Sequence, residues 1–470
     1  MAQDVASPHV TRRWWGLVLL CFAQFMVILD VTVVNVALPV IEEQLSLSRV
    51  ALTWVVTAYT LCFGGLMMLG GRLADTIGRR RTFLIGLVVF TIASLGSGLA
   101  ESGTLLIAAR AAQGIGAAML SPAALSIVTT TFHGPERNRA LGVWAAIGGA
   151  GAAVGVLLGG VFAAGPGWEW VFFINVPIGV LVAALVPLTV GAGWPDERPG
   201  RVDVPGAVLV TAAAGLLIYG LVQAGDTGWD AAVTLLTLGA GLALLALFVL
   251  VERNTKAPLV RLAVLARRPV VAGNLVMLAA SGLLLANFFL NSQYLQHVLR
   301  LDALRTGLIF LPVALVIGLG THLGVRVIGR FGGRVAGTAG FALAAAGAVL
   351  LVQVQVEDNP LIHVLPGFAV SGLGLGAAFV TATTTAMAHV DHVDAGMASG
   401  LINTGHELGA TLGIAFVSTI AATSLTGEGT AGYSSAFVAA AVVAALAALI
   451  VLWLVPPGRP PATDGPVFAH

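Results

Sequence analysis

The chain is short of charge, of lysine and of cysteine. Charged residues make up 10% of its 470 positions, and Lys256 is the single lysine among 23 basic side chains. So little charge cannot clothe a soluble protein of this size, and a net charge of +1 gives no electrostatic footprint for nucleic acid. The two cysteines, Cys21 and Cys62, lie in apolar runs and suggest neither a disulfide framework nor a metal site. Enzyme signatures are missing too. HELGA (406–410) departs from HExxH at Ala410, and there is no GxSxG elbow and no Walker A loop. Neither enzymatic activity nor ATP-driven work is expected of this chain, and no cofactor is implied. HVDHVD (389–394) has metal-ligand residue types but no second cluster to complete a site. A solvated loop without metal is the expectation there.

What the sequence has is apolar length: 58% hydrophobic residues and a mean hydropathy of +0.96. That places it among integral membrane proteins. A helical crossing takes roughly 20 apolar residues. Fourteen such runs can be read, at about 14–38, 50–70, 81–99, 104–128, 138–164, 168–190, 204–223, 231–251, 270–293, 304–325, 335–356, 361–387, 395–423 and 434–455. Arg12 and Arg13 precede the first, but it runs on without a small-residue cleavage site, so it reads as a retained span rather than a signal peptide. An even count puts both termini on one side. With that side cytoplasmic, nineteen basic residues fall in inner segments and three (Arg49, Arg300, Arg305) in outer ones, with Arg110 left inside a span. Such a bias supports the topology.

The chain also repeats itself. Gly142, Gly151 and Gly155 have the spacing of Gly400, Gly409 and Gly413, 258 residues later. GIGAAML (114–120) recurs as GLGAAFV (374–380), at an offset of 260. The expected architecture is all-α: two pseudo-symmetric six-helix bundles with helices 7 and 8 inserted between them. The expected division is a cytoplasmic N-terminus (1–13), a first bundle (14–190), the insert (204–251), a second bundle (270–455) and a cytoplasmic tail (456–470). Repeated halves around a central site are a transporter architecture.

Charges in mid-bilayer cost at least about 2.5 kcal/mol each by insertion scales. Three stand inside spans: Asp30 in helix 1, Arg110 in helix 4 and Glu407 in helix 13. At 1.5 Å per residue, Asp30 and Arg110 both fall in the outer half of the core, level enough to pair if their helices are neighbours. Burial disfavours an ionised carboxylate and a neighbouring guanidinium favours it. A conformational change that alters this balance loads or releases a proton, so Asp30 reads as a switchable charge; the alternative is a permanent ion pair. Gln24, Thr32 and Asn35 give Asp30 polar company in sequence. Glu407 lies near the midplane beside His406 and one turn from Asn403. GGRLADTIGRRR (70–81) reads as the loop between helices 2 and 3, with Gly71 and Gly78 permitting a tight turn and Asp75 able to cap a helix or pair with the arginines. Gly151, Gly155 and Gly159 form a stripe that lets another helix approach closely.

Together these residues resemble the major facilitator superfamily, in its 14-helix drug:proton antiporter branch, along helices 1–14. LDVTVVNVALP (29–39) is similar to that branch's helix 1 signature, GRLADTIGRRR (71–81) to the superfamily's loop 2–3 motif, and RAAQGIGAA (110–118) to its helix 4 motif. Gly142, Gly151, Gly155, Gly159 and Gly160 match the antiporter motif of helix 5, except that Val156 stands where the motif has proline. Proline would remove a helix hydrogen bond; Val156 restores the donor. The resemblance implies proton-coupled multidrug efflux by alternating access, with Asp30, Arg110 and Glu407 in proton coupling. It implies a cavity drawing on Gln24, Asn35, Gln113, Asn287, Asn291, Asn403 and His406, and a latch of Gly71, Asp75, Gly78, Arg79 and Arg80. The implied partners are small-molecule drugs, protons and the lipid bilayer, for a monomer in the plasma membrane. A dedicated antibiotic or siderophore exporter, an importer or uniporter, and a non-transporting sensor are the alternatives.

Overall fold

The computed structural model describes residues 8–132, 134–191, 203–255, 258, 267–355, 359–387, 395–425 and 429–458. Among the described residues fourteen long helical segments stand where the apolar runs predict them: α1 (Pro8–Leu45), α2 (Arg49–Ile77), α3 (Arg79–Gly98), α4 (Gly103–Thr131), α5 (Gly134–Ala164), α6 (Trp170–Thr189), α7 (Val204–Thr227), α8 (Ala232–Asn254), α9 (Arg268–Val298), α10 (Ala303–Phe331), α11 (Gly333–Gln353), α12 (Pro360–Met387), α13 (Ala395–Ile420) and α14 (Ala431–Leu454). Among the described residues twelve are long and apolar enough to cross a bilayer; the other two are α5 and α13, helices of 31 and 26 residues. Side chains start several of them. Ser48 accepts from Ala51 N at 3.2 Å to cap α2, and Asp302 accepts from Arg305 N at 2.7 Å to cap α10.

Helix packing repeats at a shift of eight. α1 packs on α5 as α9 packs on α13; α2 and α3 pack on α4 as α10 and α11 pack on α12; α3 meets α6 as α11 meets α14. The glycines set this packing and correct the register of the repeat. A Cβ added at Gly116 would lie 2.6 Å from Phe90 N of α3, and one at Gly374 would lie 2.8 Å from Ala344 N of α11. Gly116 therefore matches Gly374, and α4 and α12 share the 258-residue offset of α5 and α13 rather than 260.

The halves meet along two seams, α2 on α13 and α5 on α10. These exchange under the same pseudo-symmetry. The insert breaks it: α7 packs on both α2 and α13, α8 packs on α7, and α7–α8 thus cover one seam of the two. The apolar core is likewise uneven along the molecule. At one end a single cluster joins both halves, running from Leu29–Ile41 of α1 to Phe288, Tyr294 and Phe310 and on to Ile414 and Tyr433. At the other end each half keeps its own main cluster, around Phe83 and Phe90 in the first and around Phe341 and Leu375 in the second, and a small cluster around the insert, Ala207 and Phe248 with Val270, Leu401 and Met68, is what touches both. The protein thus has a sealed end and a split end, with the apolar contact that holds the halves together concentrated at the first.

Candidate functional site: two buried acids on either side of helix 2

The helices of the first half converge on Asp30. Arg110 Nη1 of α4 forms an ion pair with Asp30 Oδ2, both side chains being 0% exposed. Gln113 Nε2 donates to Asp30 Oδ1 at 3.0 Å, and Asn175 Nδ2 of α6 donates to the same oxygen at 3.2 Å. Gln113 is itself held by α3: it donates to Ser94 Oγ at 2.8 Å and accepts from Ser97 Oγ at 3.0 Å. Arg110 Nε donates to Val55 O of α2 at 3.0 Å. The guanidinium carbon lies 4.4 Å from the Tyr59 ring centroid, so the aromatic face meets the cation where no carbonyl does. Charge-assisted hydrogen bonds of this kind offset the cost of burying two ions. Protonation of Asp30 would leave Arg110 held by a ring face, a carbonyl and Gln113, with its counter-charge gone.

Glu407 lies on the other side of α2. Its backbone and Cβ pack against Gly64, which has room for no side chain of its own. The carboxylate is buried, and Oε1 sits 3.1 Å from Nδ1 of the more exposed His406. His406 also faces the Phe379 ring at 5.6 Å. One turn along, Thr60 Oγ1 of α2 and Thr411 Oγ1 of α13 bond across the seam at 2.6 Å. Helix 2 therefore touches the Asp30–Arg110 pair with Val55 and Tyr59 and touches Glu407 with Gly64.

The other expected cavity residues scatter. Gln24 accepts from Ser121 Oγ at 2.9 Å rather than joining Asp30. The Asn35 side chain donates to Val31 O at 2.8 Å, while its carbonyl accepts from Ser292 Oγ of α9 at 2.7 Å, a contact of the sealed end. Gln113 belongs to the Asp30 network. Asn287 and Asn291 donate to carbonyls of their own helix at 2.8 Å, and Asn287 also reaches Ser371 Oγ at 3.3 Å. Asn403 is half-buried on α13.

The loop 2–3 motif is mostly helix. α2 runs to Ile77, so Gly71 and Asp75 lie in its last turns, and the turn falls to Gly78 alone, at φ +98°. Asp75 is consequently not the cap of α3. Arg79 is half-buried at the start of α3, and Arg80 Nη1 donates to Val190 O at 3.0 Å, capping the end of α6. Arg334 Nε does the same for α14, at 2.8 Å from Val455 O.

The helix 5 glycines seat α5 on α1. A Cβ at Gly151, Gly155 or Gly159 would meet Ile28 (3.3 Å), Leu29 O (3.1 Å) or Val33 O (2.8 Å). Gly160 meets α10 instead, at Ala303 O (2.7 Å). The side surroundings of Gly142 and the whole of HVDHVD lie outside the described residues. α5 continues without a break through Val156, whose carbonyl lies where a Cβ on Gly307 of α10 would meet it, at 2.8 Å. Among the described residues no group of three metal-ligating side chains occurs.

Sequence reasoning missed Asn175, Ser94, Ser97 and Tyr59. None is unusual by type, and only the three-dimensional convergence of α2, α3 and α6 marks them. It also missed the depth of Arg49, counted as an outer charge; it is buried in the seam.

The family model described as Major Facilitator Superfamily matches residues 20–414. The puromycin resistance protein of Streptomyces alboniger is 37% identical to this chain, over 96% of it and 93% of its own length. The cephamycin export protein of Amycolatopsis lactamdurans is 40% identical, over 91% and 89%. Among solved structures, a bacterial homologue of the human lysosomal transporter Spinster, inward-facing and occupied, superposes with a TM-score of 0.66 over 93% of this chain and 96% of its own. At 17% identity that likeness is one of fold.

Proposed function

This chain belongs to the Major Facilitator Superfamily, and we propose that it exports amphipathic or cationic drugs in exchange for protons. The observation that carries the coupling is the Asp30 cage. A carboxylate with no exposure, gripped by one cation and two amides from α4 and α6, changes the charge of its whole site when it takes a proton. Proton loading at Asp30 then alters what α2 feels through Val55 and Tyr59, and α2 carries Gly64 against Glu407. Glu407 with His406 suits recognition of a cation or a second proton. Alternating access supplies the rest: the sealed end is proposed to face outward, the split end and both termini the cytoplasm, and Gly71, Asp75, Gly78, Arg79 and Arg80 to act as the inner latch. On this reading the protein is no enzyme, takes no cofactor, and works as a monomer in the plasma membrane.

A narrower reading, export of one antibiotic, has its own support in the specific antibiotics that name the two relatives. One experiment addresses both. Inside-out vesicles with a trapped pH dye are energised and given a panel of cationic and neutral drugs. The expected result is drug-dependent proton release, abolished by Asp30→Asn, with Glu407→Gln failing for cationic drugs alone. Release with one compound only would select the narrow reading. Undiminished release in Asp30→Asn would make the Asp30–Arg110 pair structural.

A further inference from the structure

Arg49 joins three helices at the sealed end of the α2–α13 seam. It is the first residue of α2, and its side chain is 2% exposed. Nη2 forms an ion pair with Asp226 Oδ1 of α7 at 2.7 Å, and Nε donates to the same oxygen at 2.9 Å. Nη2 also donates to Val222 O of α7 at 2.7 Å. Nη1 crosses to α13, donating to Ser418 Oγ at 3.1 Å and to Ser418 O at 3.3 Å. Around this guanidinium the seam is stitched twice more: Thr53 and Ser418 share a hydrogen bond of 2.8 Å, and Thr419 Oγ1 donates to Leu221 O of α7 at 2.6 Å. Gly225 leaves the space for it, since a Cβ there would lie 2.8 Å from Arg49 Nη2.

Every one of these bonds ties α7 to α2 or α13, or α2 to α13. They hold the halves together only while this end is closed. Parting α2 from α13 breaks the bonds of Arg49 to Ser418 and obliges α7 to release either Arg49 or Thr419; the Arg49–Asp226 pair can give way because its carboxylate is 38% exposed, unlike that of Asp30.

We propose that Arg49 is the lock of the sealed end and α7 its strap, so that the inserted helices take part in the transport cycle rather than merely filling the bilayer beside it. The proposal rests on the alternating-access reading and assigns it a gate residue.

The test reads accessibility, not transport. Cys21 and Cys62 are replaced by serine, and Thr57→Cys is introduced on α2 between Thr53 and Thr60, where it is fully buried in the closed seam. A membrane-impermeant maleimide is applied to right-side-out and to inside-out vesicles. In Asp226→Asn and in Arg49→Gln, labelling of Thr57→Cys from the sealed-end side is expected to rise by about tenfold or more. Labelling of Met68→Cys, near the split end of the same seam, is expected to fall from the other side. Unchanged labelling at both positions in folded, monodisperse protein would overturn the proposal. So would a rise at both together, which reports general loosening. If Arg49→Gln does not fold, Asp226→Asn decides, because it keeps the bonds to Val222 and Ser418. Labelling needs no drug and no gradient, so a chain that exports nothing yet shifts its labelling would keep the lock and lose the export reading.

Discussion

The two halves solve the same packing problem with opposite chemistry. At the 258-residue offset, Arg110 of α4 corresponds to Phe368 of α12. Around Arg110 stand Asp30, Gln113, Asn175 and Tyr59; around Phe368 stand Phe288 and Phe310, edge to face, with centroids 5.1 and 5.2 Å away. The glycine contacts that seat α5 at Leu29 and α13 at Gly282 put Leu283 in the place of Asp30. Leu283 and Phe368 thus stand in the second bundle where the first has its ion pair, with Ser371, bonded to Asn287 at 3.3 Å, in the place of Gln113. Burying those charges costs several kcal/mol per ion before pairing offsets it. The second half forms the same helix pairs without that expense. That contrast supports the proposed coupling role of the first half's charges over a purely structural one.

The comparison breaks most sharply if the second half's solution is transplanted. Arg110→Phe alone leaves Asp30 buried without its cation and should cost about 3–5 kcal/mol of stability. Asp30→Leu with Arg110→Phe should recover most of that loss, as thermal unfolding in detergent would register. Drug-dependent proton release should be absent from both. A double variant as unstable as the single one would mean that the first half needs its charges to fold.

The converse change sharpens it. Phe368→Ala opens the aromatic cluster and should cost about 3 kcal/mol. The ratio of protons to drug should stay at the wild-type value in the protein that remains folded, because that cluster holds shape and no charge. A changed ratio at equal amounts of folded protein would put α12 on the coupling path.

The sequence carried the fold far because the membrane makes helices obligatory and their length nearly constant. All fourteen segments were readable for that reason, and so was the glycine repeat, since close helix contact forces small residues. The Asp30–Arg110 pair was legible too, because charge in a span is rare and the two lay at one depth. What stayed hidden depends on helix rotation. Gln24 and Asn35 share helix 1 with Asp30 but point elsewhere, and nothing in an apolar helix without strong amphipathicity sets its facing. The extension of α2 to Ile77 was missed because a glycine- and arginine-rich stretch reads as a loop, although only Gly78 has the backbone of one. Arg49 was counted by its place between two apolar runs, while the helix that buries it lies 173 residues away in sequence.

The smallest expected effect tests the seam itself. Thr60 and Thr411 form one bond between the halves, at 2.6 Å and out of contact with water. Each hydroxyl also has a carbonyl of its own helix, Thr57 O at 3.3 Å for Thr60 and Glu407 O at 2.8 Å for Thr411. Truncating one therefore does not orphan the other, unlike Asp30 without Arg110. Bonds of this kind between membrane helices average about 0.6 kcal/mol. Thr60→Val, Thr411→Val and the double variant should form a cycle with a coupling energy of about that size in thermal unfolding. They should also raise sealed-end labelling of Thr57→Cys less than Asp226→Asn does. A coupling energy near that of the Asp30–Arg110 pair would reverse the comparison, making the seam between the halves, and not the cage inside one of them, the place where the molecule keeps its strongest polar bond.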